Sequence, residues 1–573
     1  MAKVLQFDNS IQRYIKLSDK KMEEGDLVTA ISYCFSAYSK EQSPEVLERI
    51  AKIYAEMGLY ELSNEYWFNY LDKTEETDDT APLEELATNY FYLEDYIATG
   101  YYLHQKIIKD NNFSENLDKN ILDFFGLEEK LSKKQDYKIV YPPEEKDYSN
   151  EIKKADLSFA IGDYTDAIRN YNLVPEGNKD YLIAQKKKAR ALYLNSDYSG
   201  AISILKNILK KEENNLIILC ELSSCFYHIK DITSARYYYK KCMEIGAQTE
   251  EELYILGRLS ALHSDHNGII KTFSLAVEKN PFDLNVRHVL GLAYINVFDY
   301  KSAYKHFAFI KKIVPDDTIA SYYAEKTFLL SIGDKKKVEL YPAEYKTGLP
   351  KAEEKNRIKY LKSIMEAPAT QYEKLLKRPI AKKYLEWAIF EGEEDFSKEC
   401  VYLMTGVNIR GINKILRKAL LCPSIDNNLK KIIIYSMICS GVKGKISVVV
   451  ESRYLSFYPK HFAFEKEKNG DFYYLCYSLC MAHAVFLGEE DFNKIALATN
   501  RIYKKLGSLK RKLKKEELCS LIFYVSGASD RLGIKEPYKL FRLNREDFLI
   551  VLNLYQGDIN ENNWYRQVVW WIH

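Results

Sequence analysis

The chain reads as an all-α protein: an α-solenoid of stacked helix pairs followed by an irregular helical module with one β-hairpin. Three observations predict this. Only 24 glycines and 14 prolines occur in 573 residues, about half the usual share, which disfavours turn-rich sandwiches, collagen and flexible linkers. Residues repeat at a fixed period: Ala167, Ala201, Ala235, Ile269 and Ala303 follow one another at intervals of 34. Composition is that of a folding chain, 47% hydrophobic and 29% charged.

Other columns keep the phase. Ala155, Ala189, Ser223, Gly257 and Gly291 are small, whereas Tyr171, Leu205, Tyr239, Phe273 and Phe307 are large. Small side chains let two antiparallel helices approach closely, and large ones fill the gap toward the next pair. A further column, Tyr164, Tyr198, Ile232, His266 and Tyr300, lies three residues before the alanine column.

On these columns the chain resembles the tetratricopeptide (TPR) family. Leu290 to Pro315 is the best copy and Phe159 to Tyr171, with Gly162 in its turn, is another. The first-helix tryptophan of the family is absent throughout, and Ile269 replaces the second-helix alanine. The resemblance implies helix–turn–helix units stacked side by side, with a concave groove that holds extended peptides or helices.

The register divides the chain in order. Residues 1–113 give an N-terminal array of about three repeats, around Gly25, Ala51, Gly58, Ala87 and Tyr96. Residues 114–147 give one helix-like stretch and then Pro142-Pro143, which cannot be helix interior, so this segment is read as a break. Residues 148–334 give a second array of five repeats and a partial sixth helix at Ala320 to Ser331. Residues 335–351, with two prolines and no periodicity, read as a linker.

The C-terminal module covers 352–573. Leu416 to Gly441 is two amphipathic segments broken at Pro423, weakly HEAT-like, with Ser424 placed to cap the second. Lys445 to Pro459 carries the β signal, two runs joined by a three-residue turn around Ser452. A lone hairpin is marginal in water, so it must pack on helices. This tail also resembles that of uncharacterised TPR proteins of Gram-positive bacteria. Trp564, Trp570 and Trp571 close the chain, dense enough to seal the end of a helical stack.

Charge and motifs exclude more than they assign. The net charge is +2, so no global field holds nucleic acid or an anionic membrane, and nucleic acid is disfavoured as a partner. No signal-peptide or membrane-spanning pattern is present, which points to a cytoplasmic protein. Heavy use of Lys, Ile, Asn and Tyr suggests an AT-rich, bacterial genome. Ten scattered cysteines without a CxxC pair read as free thiols.

Cys476, Cys480 and His483 share one helix face but span too far to converge on one ion, and their face is otherwise apolar. Core packing is the better reading there, and also for His263 and His266. GVKGKIS, Gly441 to Ser447, fails the spacing of a phosphate loop. The basic run Lys504 to Lys515, seven cations in twelve residues, spreads around a helix and lacks the aromatics of a nucleic-acid site. No cofactor, metal site or catalytic residue is assigned.

The binding face is the better expectation. First-helix stripes of the second array line up side by side, and the family resemblance makes them the groove: Phe159, Lys186, Arg190, Tyr193, Tyr227, Tyr254, Arg258 and His288. Aromatic rings between cations suit a peptide with apolar and acidic residues. Lys186 and Arg190 echo the family's carboxylate clamp, but Glu221 and Glu251 stand where Asn and Lys belong, so chaperone-tail binding does not carry over. The sequence therefore predicts a non-enzymatic scaffold or adaptor for a protein or peptide of unknown identity. The alternatives are a peptide-sensing or nucleic-acid-linked regulator, or an enzyme within the C-terminal module.

Overall fold

The computed structural model describes residues 11–74, 80–110, 148–333, 343–405, 407, 409–465, 469–488, 492–507 and 513–556. The break at 114–147, the tryptophan-rich end and the middle of the basic run lie outside the described residues.

Three helix pairs open the chain: α1 (Ile11–Glu23) with α2 (Leu27–Tyr38), α3 (Pro44–Glu56) with α4 (Tyr60–Lys73), and α5 (Ala81–Tyr92) with α6 (Tyr96–Lys109). Five more follow: α7 (Ser149–Ala160) with α8 (Tyr164–Tyr171), α9 (Tyr181–Leu194) with α10 (Tyr198–Leu209), α11 (Leu216–His228) with α12 (Ile232–Ile245), α13 (Glu250–Leu262) with α14 (His266–Lys279), and α15 (Leu284–Asn296) with α16 (Tyr300–Ile313). Helix α17 (Thr318–Ser331) packs on α16.

The small and large columns meet as their sizes require. A Cβ on Gly257 would stand 2.0 Å from Cε1 of Phe273, and one on Gly291 would stand 2.7 Å from the Phe307 ring. Glycine is needed at these two places because the ring occupies the side-chain volume. Between the helices of a pair the chain turns through a left-handed residue followed by an aspartate. Ser196, Lys230, Ser264 and Phe298 have φ of 64°, 65°, 55° and 63°. Asp197, Asp231, Asp265 and Asp299 then accept the N–H of Gly200, Ser234, Gly268 and Ser302, capping each second helix.

The chain forms two compact units: residues 130–350 are one, and 1–129 with 351–573 are the other. Sequence periodicity treats the first array and the C-terminal module as separate segments, yet they share one core. The module runs α18 (Lys351–Met365), α19 (Ala369–Leu376), α20 (Pro379–Glu391), α21 (Glu394–Met404), α22 (Arg410–Leu421), α23 (Asn427–Cys439), strands β1 (Ile446–Val450) and β2 (Arg453–Phe457), then α24 (Gly470–Phe486), α25 (Phe492–Leu506), α26 (Lys515–Val525), α27 (Ala528–Arg531), α28 (Pro537–Leu540) and α29 (Arg545–Gln556).

The hairpin joins the module to the first array. Val449 and Leu421 enter the cluster built by Trp67, Phe68, Leu86, Tyr90 and Tyr102. Tyr454 stacks on Phe68 with centroids 6.3 Å apart, and Arg453 lies 5.3 Å over the Tyr101 ring. Ser452 donates to Asp95 at 3.1 Å while its carbonyl accepts from the Tyr102 hydroxyl. On the module side, buried Lys430 donates to the Val449 carbonyl at 2.7 Å, and desolvation pulls its pKa down to about 8.

Two local expectations are corrected. The turn has two residues, because Val450 pairs with Arg453; Glu451 and Ser452 both adopt positive φ, the conformation whose twist matches the strands. The cap of α23 is Asp426, whose carboxylate accepts from Asn428 and Leu429, since the helix starts at Asn427 and Ser424 lies one residue pair too early. Ser424 bonds to Cys422 instead.

Candidate peptide groove

Helices α9, α11 and α13 present successive stripes of the second array. Lys186 is committed to Glu212, 2.9 Å from both carboxylate oxygens, and Lys187 to Asp156 at 2.6 Å. Asp156 also accepts from Tyr171 at 2.6 Å. Arg190 and Arg258 are exposed and have no ion pair among the described residues; the Arg258 guanidinium sits 5.8 Å from the centre of the Tyr254 ring. The two arginines occupy the same column two repeats apart.

Between them stands Glu221. Burial pushes its carboxyl up to about 7, against the pull of Arg190 and Lys186 and with a further push from Glu251. Tyr193 feels both the Arg258 and Glu221 charges, so three consecutive repeats meet in one electrostatic neighbourhood; burial raises its pKa. The Tyr193 hydroxyl lies 2.9 Å from His228 Nε2, and Tyr227 packs edge-on against His263 at 5.5 Å. Phe159 is half buried, edge-on to Tyr164 at 5.5 Å.

His288 stands apart from the exposed Arg190, Tyr254 and Arg258. Only 4% exposed, it is wedged edge-on against Phe307 and Tyr323 at 5.3 and 5.6 Å, and burial holds its pKa near 4, so the ring is neutral. Its column predicts a groove residue, but neighbouring aromatic rings enclose it. The aspartate turn column, 163, 197, 231, 265 and 299, recurs at the same period as the alanines and caps the second helices.

One arrangement looks like chemistry and is not. Ser223 Oγ lies 3.0 Å from His263 Nε2, with Asp265 nearby, but the serine is fully buried and gives its proton to the Ala235 carbonyl at 2.7 Å. His263 Nε2 must then be the donor, the wrong tautomer for a base. Cys476 and Cys480 are fully buried core residues, and the His483 ring packs edge-on to Phe541 at 5.4 Å. Among the described residues no group of three or more metal-ligating side chains converges. Among them, too, no helix is long and apolar enough to cross a membrane.

With this geometry in hand, the helix pairs stack as regular repeats, and the chain is an α-solenoid repeat protein. Its own 34-residue period and helix pairing define that class. No protein-family model matches the chain. A bovine protein described as BBSome complex member BBS4 is 24% identical over 121 residues, 21% of this chain and 23% of its own, so the match spans less than a quarter of that protein. Among solved structures, YrrB, described as a TPR protein with an unusual peptide-binding site, is 20% identical over 30% of this chain and 86% of its own, with a TM-score of 0.25. The TPR2AB domain of yeast Sti1 with pHSP90 is 15% identical over 46% and 98%, with a TM-score of 0.18. The human IFIT1 dimer with m7Gppp-AAAA is 11% identical over 76% and 92%, with a TM-score of 0.27.

Proposed function

We propose that the chain is a non-enzymatic scaffold whose second array captures an extended, acidic segment of a partner protein. One observation carries this reading: Arg190 and Arg258, on the same groove column, have no ion pair among the described residues, while Lys186 and Lys187 are already neutralised by Glu212 and Asp156. Bare guanidiniums beside Tyr193, Tyr227 and Tyr254 offer a bidentate grip on carboxylates and flat faces for apolar side chains. A soluble location fits such a role, with the cytoplasm as the proposed compartment.

The test uses two fluorescein-labelled pools of twelve-residue peptides, one mixing Glu with Tyr and Leu, the other mixing Lys with Tyr and Leu. Fluorescence anisotropy with the full chain should favour the acidic pool. Arg190→Glu with Arg258→Glu should weaken that binding at least tenfold, with little change in stability because both sites are exposed. Lys240→Glu with Lys271→Glu, on exposed positions of second helices, should leave it intact. Equal loss in both double variants, or no preference between pools, overturns the reading.

A further inference from the structure

The groove does not stay open along the array. At the fifth repeat its columns are closed: Leu292, Ile295 and His288 are 0%, 3% and 4% exposed. The adjoining positions are taken by the chain itself. Ala343 donates its N–H to Asn296 Oδ1 at 2.7 Å and accepts from Asn296 Nδ2 at 3.0 Å, so one side-chain amide satisfies both main-chain groups of one residue. The Tyr323 hydroxyl donates to the Gly348 carbonyl at 3.2 Å. Tyr345 meets His266 through its hydroxyl and packs on the cluster of Ile269, Phe273, Leu290 and Ala293, while Leu349 is buried.

These partners lie beside the groove columns. Asn296 directly follows Ile295 on α15, and Tyr323 falls in the column that holds Glu221, three periods further on. The segment forms neither helix nor strand, and within it the Lys346 N–H turns back to the Glu344 carbonyl at 2.8 Å. Over 343–350 a stretch that reads as a linker is held against the repeats by these contacts.

We infer that the C-terminal end of the groove is a second peptide site, distinct in chemistry from the arginine-bearing stretch, whose resident ligand is the chain's own Ala343–Pro350. The inference rests on reading the first helices as a binding face. The site takes a bent, non-helical segment, clamped at one residue by Asn296, with an aromatic side chain two residues later and a glycine three residues beyond that. Charge plays no part in those contacts, so the acidic segment proposed for the open stretch is not its ligand. A tethered ligand is present at an effective concentration of the order of millimolar, so an untethered segment of the same kind is excluded until the resident one leaves.

The test uses the full chain and a fluorescein-labelled peptide of sequence AEYKTGLP. Wild-type protein should show weak binding. Replacing residues 343–348 by an alternating Gly-Ser hexamer should vacate the site and tighten binding at least tenfold. Adding Asn296→Ala to the vacated chain, or using the peptide with Ala in place of its tyrosine, should remove that gain. A vacated chain of unchanged helical circular dichroism that binds no better than wild type overturns the inference.

A second measurement needs no segment exchange. Asn296→Ala in the otherwise native chain should speed tryptic cleavage after Lys346 at least fivefold, and an unchanged rate counts against the resident-ligand assignment. The acidic pool, measured on the same variants, separates the two sites. Its affinity should survive vacating 343–348, and its failure to bind while AEYKTGLP binds would sink only the arginine-groove reading.

Discussion

The two arrays build the same helix pair and use it differently. In residues 11–109 the core runs on into Leu421 and Val449, and the hairpin adds Tyr454 over Phe68, so the repeat surface is consumed by structure. In the second array, α9 and α13 keep Arg190, Tyr254 and Arg258 exposed. The repeat therefore decides how helices stack, and the residues left unpaired decide which face is available. Where a repeat buries its outer face against its own chain, sequence periodicity alone does not reveal it.

The sharpest break in this comparison is Phe68→Ala. The ring is fully buried and stacked on Tyr454, so its loss should cost about 3–5 kcal/mol. All five tryptophans lie outside residues 130–350, so tryptophan fluorescence in urea reports the first array and module without the second array. That transition should move to lower denaturant while acidic-pool binding stays within twofold. Loss of both together would show that the arrays are not separable in stability.

Next comes Glu221, on the open array. Its folded pKa of about 7 exceeds the ordinary carboxylate value near 4.3, so between those values the folded state holds a proton that the unfolded chain has released. The stabilisation is complete below about pH 4.3 and lost as pH rises through 7. Glu221→Gln should therefore make the second array about 2 kcal/mol more stable than wild type at pH 8, with the gap closing by pH 4. Neutralising this carboxylate also leaves the groove more positive, so the wild type should hold the acidic pool more tightly at pH 6 than at pH 8. A Gln variant that keeps the same pH dependence would assign it to another group.

Gly257→Ala tests the packing that both arrays share. The added methyl meets the buried Phe273 ring, so overpacking of about 2–3 kcal/mol is offset by about 1 kcal/mol of helix propensity. A net loss of about 1–2 kcal/mol should appear in the far-ultraviolet circular dichroism transition and leave the tryptophan transition unmoved. A stabilised variant would mean that the Phe273 ring yields at little cost.

What the sequence made legible was what local periodicity encodes. The columns through Ala167 and Gly257 specify helix pairing, and the same period puts Arg190 and Arg258 in one column, where both are exposed. Lys186 was named without its competitor, because Glu212 lies on the loop before the next repeat and carries no periodic signal. His288 sits in a groove column, yet the Tyr323 ring that helps enclose it belongs to the lone helix after the last pair. The hold of Asn296 on Ala343 and of the hairpin on Asp95 spans 47 and 357 residues, distances at which a pattern of 34 has nothing to say.

The smallest effect is expected where one turn departs from the rest. Of the eight described pairs, seven place an aspartate after the left-handed turn residue, and Asp26, Asp95 and Asp163 cap their second helices as the later ones do. The exception is Gly58-Leu59, where Leu59 offers no side-chain acceptor and α4 begins uncapped. Leu59→Asp supplies an acceptor for the N–H of Leu62, a gain of about 1 kcal/mol for a cap of this type. Leu59 is half buried, so part of that gain is offset by lost apolar contact, leaving about 0.5 kcal/mol. Because Trp67 lies on α4 itself, the tryptophan transition should shift upward by a small but measurable amount. The matched change Asp197→Leu should lower the second-array transition by about 1 kcal/mol, since it removes a cap and adds an apolar side chain at an exposed turn. If Leu59→Asp destabilises instead, the first array gains more from packing at that turn than from capping, and the two arrays differ in how their turns are held as well as in which face they bury.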